Sequence, residues 1–272
     1  MTKTLAFGAA LALAALAVAV PARAVDRWEG GFGGDDENTS LNTLSPGLVQ
    51  EHDLDTAGGP EDVDWAVVPT LQYHSYEARI SGANLNFDWG LCPNCTQFER
   101  VDIEGAVLTE DVATVNDGSG MPAEAYDRSV RWVASGSTIR EFVRVRGSSS
   151  VTEDPSHAYT LRFWDTTYTV PRWNASGGQT TVFVVTSLVQ GTVAGSIHFF
   201  AGSGVLLHSQ PLTLDRNVPY VFNTASVAAL AGSSGFALVS HTAGYGGLTG
   251  KAVALEPSTG FAFDTAMAAI PQ

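Results

Sequence analysis

Residues 51–82 read EHDLDTAGGPEDVDWAVVPTLQYHSYEARISG, and the alternation within them decides the fold. The segment 75–80 places Tyr76, Ala78 and Ile80 on one face of an extended strand, as a half-buried strand requires. Before it, Asp64-Trp65-Ala66-Val67-Val68 follows a Gly58-Gly59-Pro60 turn, and residues 48–54 open the sheet. The stretch is therefore strand, turn, strand, turn, strand, with acidic residues crowded into the first turn. Downstream, short strands are expected near 101–103, 129–133, 140–146 and 157–163, separated by Gly-, Ser-, Asn- and Pro-bearing loops at 113–122 and 147–155. No window there keeps a helical stripe, and short strands between turn signals predict an antiparallel sandwich.

The second half repeats that texture. Strands are expected at 168–172, 179–188, 192–200, 205–209, 212–214, 220–222, 235–242 and 250–255, with one short helix at 226–231. The turn Ala201-Gly202-Ser203-Gly204 joins two of them as a hairpin. The layout predicts an immunoglobulin-like sandwich of about 100 residues. The expected fold class is all-β: two tandem antiparallel β-sandwiches, jelly-roll-like over 44–165 and immunoglobulin-like over 166–272.

Ahead of both, Met1-Thr2-Lys3, an apolar run over 5–20 and Pro21-Ala22-Arg23-Ala24 have the form of a secretory signal peptide over 1–24. Residues 25–43 form an acidic, Gly-rich lead-in, and the exposed character is expected to run on to Gly47. Charge is uneven: residues 25–165 carry 25 Asp and Glu against 9 Arg, while 166–272 carry only Asp215, Glu256 and Asp264 against Arg172, Arg216 and Lys251. With a formal net charge of −14, the chain repels phosphate backbones, so nucleic acid is not an expected partner. No second long apolar run follows, so no membrane span is expected after the leader. Cys92 and Cys95, in Leu-Cys-Pro-Asn-Cys-Thr, are the two cysteines. Export favours a disulfide loop staple between them. A redox pair would need a helix start in a βαβ unit, and a zinc site would need further soft ligands.

Several separated motifs carry a resemblance. His-Asp-Leu, Gly-Gly-Pro-Glu-Asp-Val-Asp-Trp and Tyr-Glu-Ala-Arg-Ile-Ser-Gly are followed by Glu141-Phe142-Val143-Arg144-Val145-Arg146-Gly147 and Ala158-Tyr159-Thr160-Leu161-Arg162. In that order they resemble the bacterial pre-peptidase C-terminal domain over roughly residues 44–164. The middle, 82–133, departs from the pattern with a longer insertion and the Cys-x-x-Cys loop. The resemblance implies a jelly-roll-like sandwich of the kind appended to secreted hydrolases, usually non-catalytic. It also implies binding of fibrous protein or carbohydrate in some members, and calcium held by acidic residues at the domain start. No peptidase domain accompanies the module here. Residues 245–257 look like a C-terminal region of uncharacterised secreted bacterial proteins, a likeness that carries no activity.

Candidate chemistry is sparse. The run Asp35, Asp36, Glu37 and Asn38, with Asp62 and Asp64, offers oxygen ligands for calcium without matching an EF-hand loop. Asp62 and Asp64 share a strand face and are also the best paired carboxylates for a glycosidase. The histidines stand singly, although His198 and His208 flank one hairpin and could lie opposite each other. No Gly-x-Ser-x-Gly elbow occurs. For binding, alternation puts Arg140, Phe142, Arg144 and Arg146 on one strand face, with Val143 and Val145 on the other. Their plainer role is a solvated face whose arginines pair with carboxylates. Trp65, Trp132, Trp164 and Trp173 read as core. Trp89 and Phe98, flanking the disulfide loop, are the expected exposed contact residues. The expectation is an exported, non-catalytic binding or accessory protein for an extracellular polysaccharide, matrix protein or partner protein, with calcium as the candidate cation. A hydrolase or hydrolase accessory chain using Asp62 and Asp64, and a structural envelope protein, are the alternatives.

Overall fold

The computed structural model describes residues 42–53, 63–82, 97–110, 112–113, 126–134, 136, 141–146 and 158–272. The expected leader, the Asp35–Asn38 run, Asp62, Trp89, Cys92, Cys95 and Arg140 lie outside them. The described chain is all-β, in two tandem antiparallel sandwiches. The first is built from β1 (Val49–Asp53), β2 (Val63–Val68), β3 (Ser75–Gly82), β4 (Gln97–Val101), β5 (Val107–Glu110), β6 (Val112–Ala113), β7 (Tyr126–Val133), β8 (Glu141–Arg146) and β9 (Ala158–Asp165). The second is built from β10 (Tyr168–Asn174), β11 (Thr180–Ser187), β12 (Val193–Ala201), β13 (Leu206–Leu214), β14 (Tyr220–Asn223), β15 (Ser234–His241), β16 (Leu248–Glu256), β17 (Phe261–Ala266) and β18 (Ala268–Ala269).

Four sheets result, in the orders β1-β9-β3-β7-β6, β2-β8-β4-β5, β13-β12-β15-β10-β18 and β14-β11-β16-β17. The first two enclose one core. Tyr76, Ala78 and Ile80 of β3, as their alternation predicts, meet Ala66 and Val68 of β2 and Val143 and Val145 of β8. The other two enclose a second core around Trp173, Phe183, Ile197, Phe199 and Val239. Trp173 is fully buried, and its indole N–H donates to the carbonyl of Phe236 at 2.9 Å, so the polar end of the ring is satisfied as burial demands.

Several local expectations are corrected. The helix expected at 226–231 is two 3₁₀ turns, Thr224–Ser226 and Ala228–Leu230, because the segment is too short to nucleate an α-helix. The strand expected at 101–103 ends at Val101, where the Asp102 side chain accepts from the amides of Glu104 and Ala106 and turns the chain. The lead-in is not exposed to its end: Asn42 and Leu44 are buried, and they pair through backbone bonds with Val67. Trp65 leaves the sandwich core for a smaller cluster with Val101 and Phe142 on the outer face of its sheet.

Only Thr166 and Thr167 separate β9 from β10, and both are buried. The Thr166 amide donates to the Ser75 carbonyl at 2.8 Å, and the Thr167 hydroxyl accepts from the Ser75 amide at 2.9 Å. The Gln272 side chain brackets the Asp165 backbone, donating to its carbonyl at 3.0 Å and accepting from its amide at 3.3 Å. The two sandwiches are thus joined by a packed seam.

Candidate functional site

The face expected to carry recognition is covered. Arg144 and Arg146 of β8 do share a face with Phe142, but Phe142 is 0% exposed, held edge-on by Trp65 at 5.5 Å. Arg144 lies over the Trp65 ring at 5.1 Å and grips Glu99 through Nε and Nη2 at 3.1 and 2.6 Å. Arg146 reaches the other Glu99 oxygen at 3.2 Å. The arginines are spent on a carboxylate of the neighbouring strand, the plainer of the two roles. Phe98 is 1% exposed and packs in the first core, which corrects its expected role as a contact residue: its strand parity turns it inward.

Asp64, the described member of the Asp62 and Asp64 pair, faces the interior of the first sandwich. It sits on the face of β2 that carries Ala66 and Val68, is buried, and accepts the hydroxyl of Tyr159. Among the described residues no three His, Cys, Asp or Glu side chains are grouped to hold a metal ion. His198 and His208 do not face each other. His198 opposes Ser209, and His208 opposes Phe199, one residue out of register. His198 is bonded by Ser209 at Nδ1 and by Ser240 at Nε2, each at 2.9 Å. Burial first, then the neighbouring His74, lowers its pKa to about 4, so it is neutral at pH 7. Ser240 is fully buried and out of reach of a substrate.

The seam gathers the remaining chemistry. Here the outward face of β9, β3 and β7 meets the loop after β15. Cross-strand register puts Trp164 opposite Glu77, Glu77 opposite Arg131, and Arg162 opposite Arg79. Glu77 is 0% exposed and takes Arg131 Nε at 3.0 Å and Arg79 Nη2 at 3.1 Å on one oxygen. Its other oxygen accepts the backbone amide of Tyr245 at 2.9 Å. Burial opposes its charge, but Arg131, the Tyr245 amide and Arg79 together hold its pKa below the ordinary carboxylate value. A Cβ at Gly244 would lie 3.0 Å from the same carboxylate, so the loop lies this close because that residue has no side chain.

His241 fixes the loop from the other side. Its Nδ1 accepts the amide of Ala243 at 3.1 Å, and its Nε2 meets the carbonyl of Thr166 at 2.8 Å. An amide only donates and a carbonyl only accepts, so the neutral ring with hydrogen on Nε2 satisfies both. Burial, the largest influence, lowers its pKa to about 4.

The loop delivers Tyr245, 42% exposed, beside the half-buried Trp164. The two rings are nearly parallel, 17° apart with centroids at 6.4 Å. Arg79 lies over Trp164 at 5.4 Å, and Arg162 is exposed beside it. This open aromatic and guanidinium surface draws residues from both sandwiches. Trp164 therefore lines a surface and not the core. Alternation in Ser-Tyr-Glu-Ala-Arg contained half of the signal, placing Glu77 and Arg79 opposite Tyr76 and Ala78. Nothing local linked Gly-Tyr-Gly-Gly, 168 residues further on, to Glu77.

Compared with known proteins, the chain matches no family model, and no curated protein matches it.

Proposed function

We propose that this is an exported, non-catalytic binding or accessory protein that recognises an extracellular polysaccharide, matrix protein or partner protein. The observation that supports this most is the exposed surface of Trp164, Tyr245, Arg79 and Arg162, backed by the buried Glu77. Glu77 holds the Arg79 side chain and the backbone of Tyr245, so these two groups lose less freedom on binding, which favours recognition. By contrast, of the groups that could move protons nearby, His198, His241 and Ser240 are buried with hydrogen-bond partners, and the partly buried His74 is held by Asp165 at 2.6 Å. The likeness to the pre-peptidase C-terminal domain points the same way, as does the secretory form of the first 24 residues.

A glycan and matrix-protein array, run with and without calcium, tests the reading. Binding to at least one class is expected, weakened by Tyr245→Ala. No binding under either condition overturns it.

A further inference from the structure

We infer that the seam surface takes a carboxylated sugar of the uronate class, carried sparsely on an otherwise neutral polysaccharide, with the carboxylate at Arg162 and Arg79 and the ring against Trp164 and Tyr245. This assignment rests on the binding reading and names the ligand of that surface.

Three observations carry it. Arg162 and Arg79 stand directly opposite across β9 and β3, a like-charge cross-strand pair that destabilises the sheet. Arg79 is engaged by Glu77 and Trp164, which leaves Arg162 as the exposed guanidinium of the pair. A carboxylate bound there relieves the repulsion and forms charge-assisted hydrogen bonds.

Next, the surface is a sheet face and not an edge. β9 is paired with both β1 and β3, and β3 with both β9 and β7. A peptide adding as a strand would find no free backbone to pair with there. A sugar needs none: its C–H faces pack on aromatic rings while its polar groups meet the arginines.

Charge density decides the rest. The chain carries −14 overall, which opposes a closely charged polyanion at long range. At physiological ionic strength that opposition fades beyond about 8 Å. One carboxylate in contact with two arginines gains locally, whereas a dense row of anions adds repulsion with each further charge. The surface therefore selects isolated acidic residues.

Affinity electrophoresis of the full chain tests this, with glucuronoxylan, unsubstituted xylan and polygalacturonate as immobilised probes. Glucuronoxylan is expected to retard the protein about tenfold more strongly than unsubstituted xylan. Arg162→Gln, which also relieves the like-charge pair, is expected to abolish that difference with a melting temperature no lower than the wild type's, and Tyr245→Ala to weaken both xylans together. Polygalacturonate is expected to retard less than glucuronoxylan. Equal retardation by the two xylans, or indifference to Arg162→Gln, overturns the uronate assignment and leaves the binding reading standing. Stronger retardation by polygalacturonate overturns the sparse-charge part. If no probe retards the protein, the assignment fails, and the array decides separately whether the binding reading fails with it.

Discussion

Glu77 is a charge without solvent, and it persists because its surroundings were built around it. Two guanidinium groups and a backbone amide surround the carboxylate, enough to outweigh desolvation and depress its pKa. In the unfolded chain the group titrates near its ordinary value of 4.5. The folded value is lower, so Glu77 stabilises the native state above pH 4.5, and that contribution disappears as pH falls through the folded value. Glu77→Gln removes the charge but keeps the shape and an acceptor for the Tyr245 amide. The expected cost at pH 7 is about 2 kcal/mol, and the variant's stability should fall less steeply than the wild type's below pH 4.5. Denaturant titrations from pH 7 to 3 measure both. An equally steep acid limb in the variant would remove Glu77 from the account.

At the scale of the element, Gly235 near the start of β15 shows how closely the second sandwich is fitted. A Cβ there would lie 2.0 Å from the Phe200 carbonyl oxygen, which also sits 3.3 Å from the indole nitrogen of Trp173. Backbone cannot retreat as a side-chain tip can. Gly235→Ala is therefore expected to destabilise by about 2 kcal/mol and to perturb Trp173 fluorescence, while Gly202→Ala, with nothing within 4 Å of its Cβ, should be neutral. The strands legible in the sequence were those with a clear local signal: alternation that records burial in β3, and a continuous apolar run in β11. Where burial did not follow local pattern, the reading failed. Strands are expected separately at 205–209 and 212–214, yet β13 is one strand from Leu206 to Leu214 that runs through Pro211. It lies at the edge of its sheet, where a missing amide costs no ladder bond. β17 was missed because it is held by pairing with β16 while Phe261 and Phe263 remain exposed. The arginine face on β8 had the right parity, but Glu99 and Trp65, which cover it, come from other strands. Cross-strand neighbours are long-range facts that periodicity cannot supply.

For the whole molecule, the seam makes the two sandwiches one unit, and its histidines make that unit sensitive to acid. His198 and His241 are both buried, on β12 and β15, and both have pKa values lowered to about 4 from an ordinary 6.5. The groups facing them are His74, itself bonded to Asp165 at 2.6 Å, and Glu77 with Arg131. Between those pH values the unfolded chain binds protons that the folded chain refuses, so native stability falls as pH drops from 6.5 to 4. Each histidine contributes on the order of 3 kcal/mol to that fall. Protonating His241 also removes the acceptor for Ala243, at the root of the loop that carries Tyr245. The melting temperature should therefore decline through this range in a single transition, with Tyr245 fluorescence and glycan retardation lost together. His241→Gln, which neither titrates nor loses its acceptor, should decline less over the same range. A melting temperature constant from pH 7 to 4, or two transitions separating as the pH falls, would mean that the sandwiches do not share the seam as a stabilising unit.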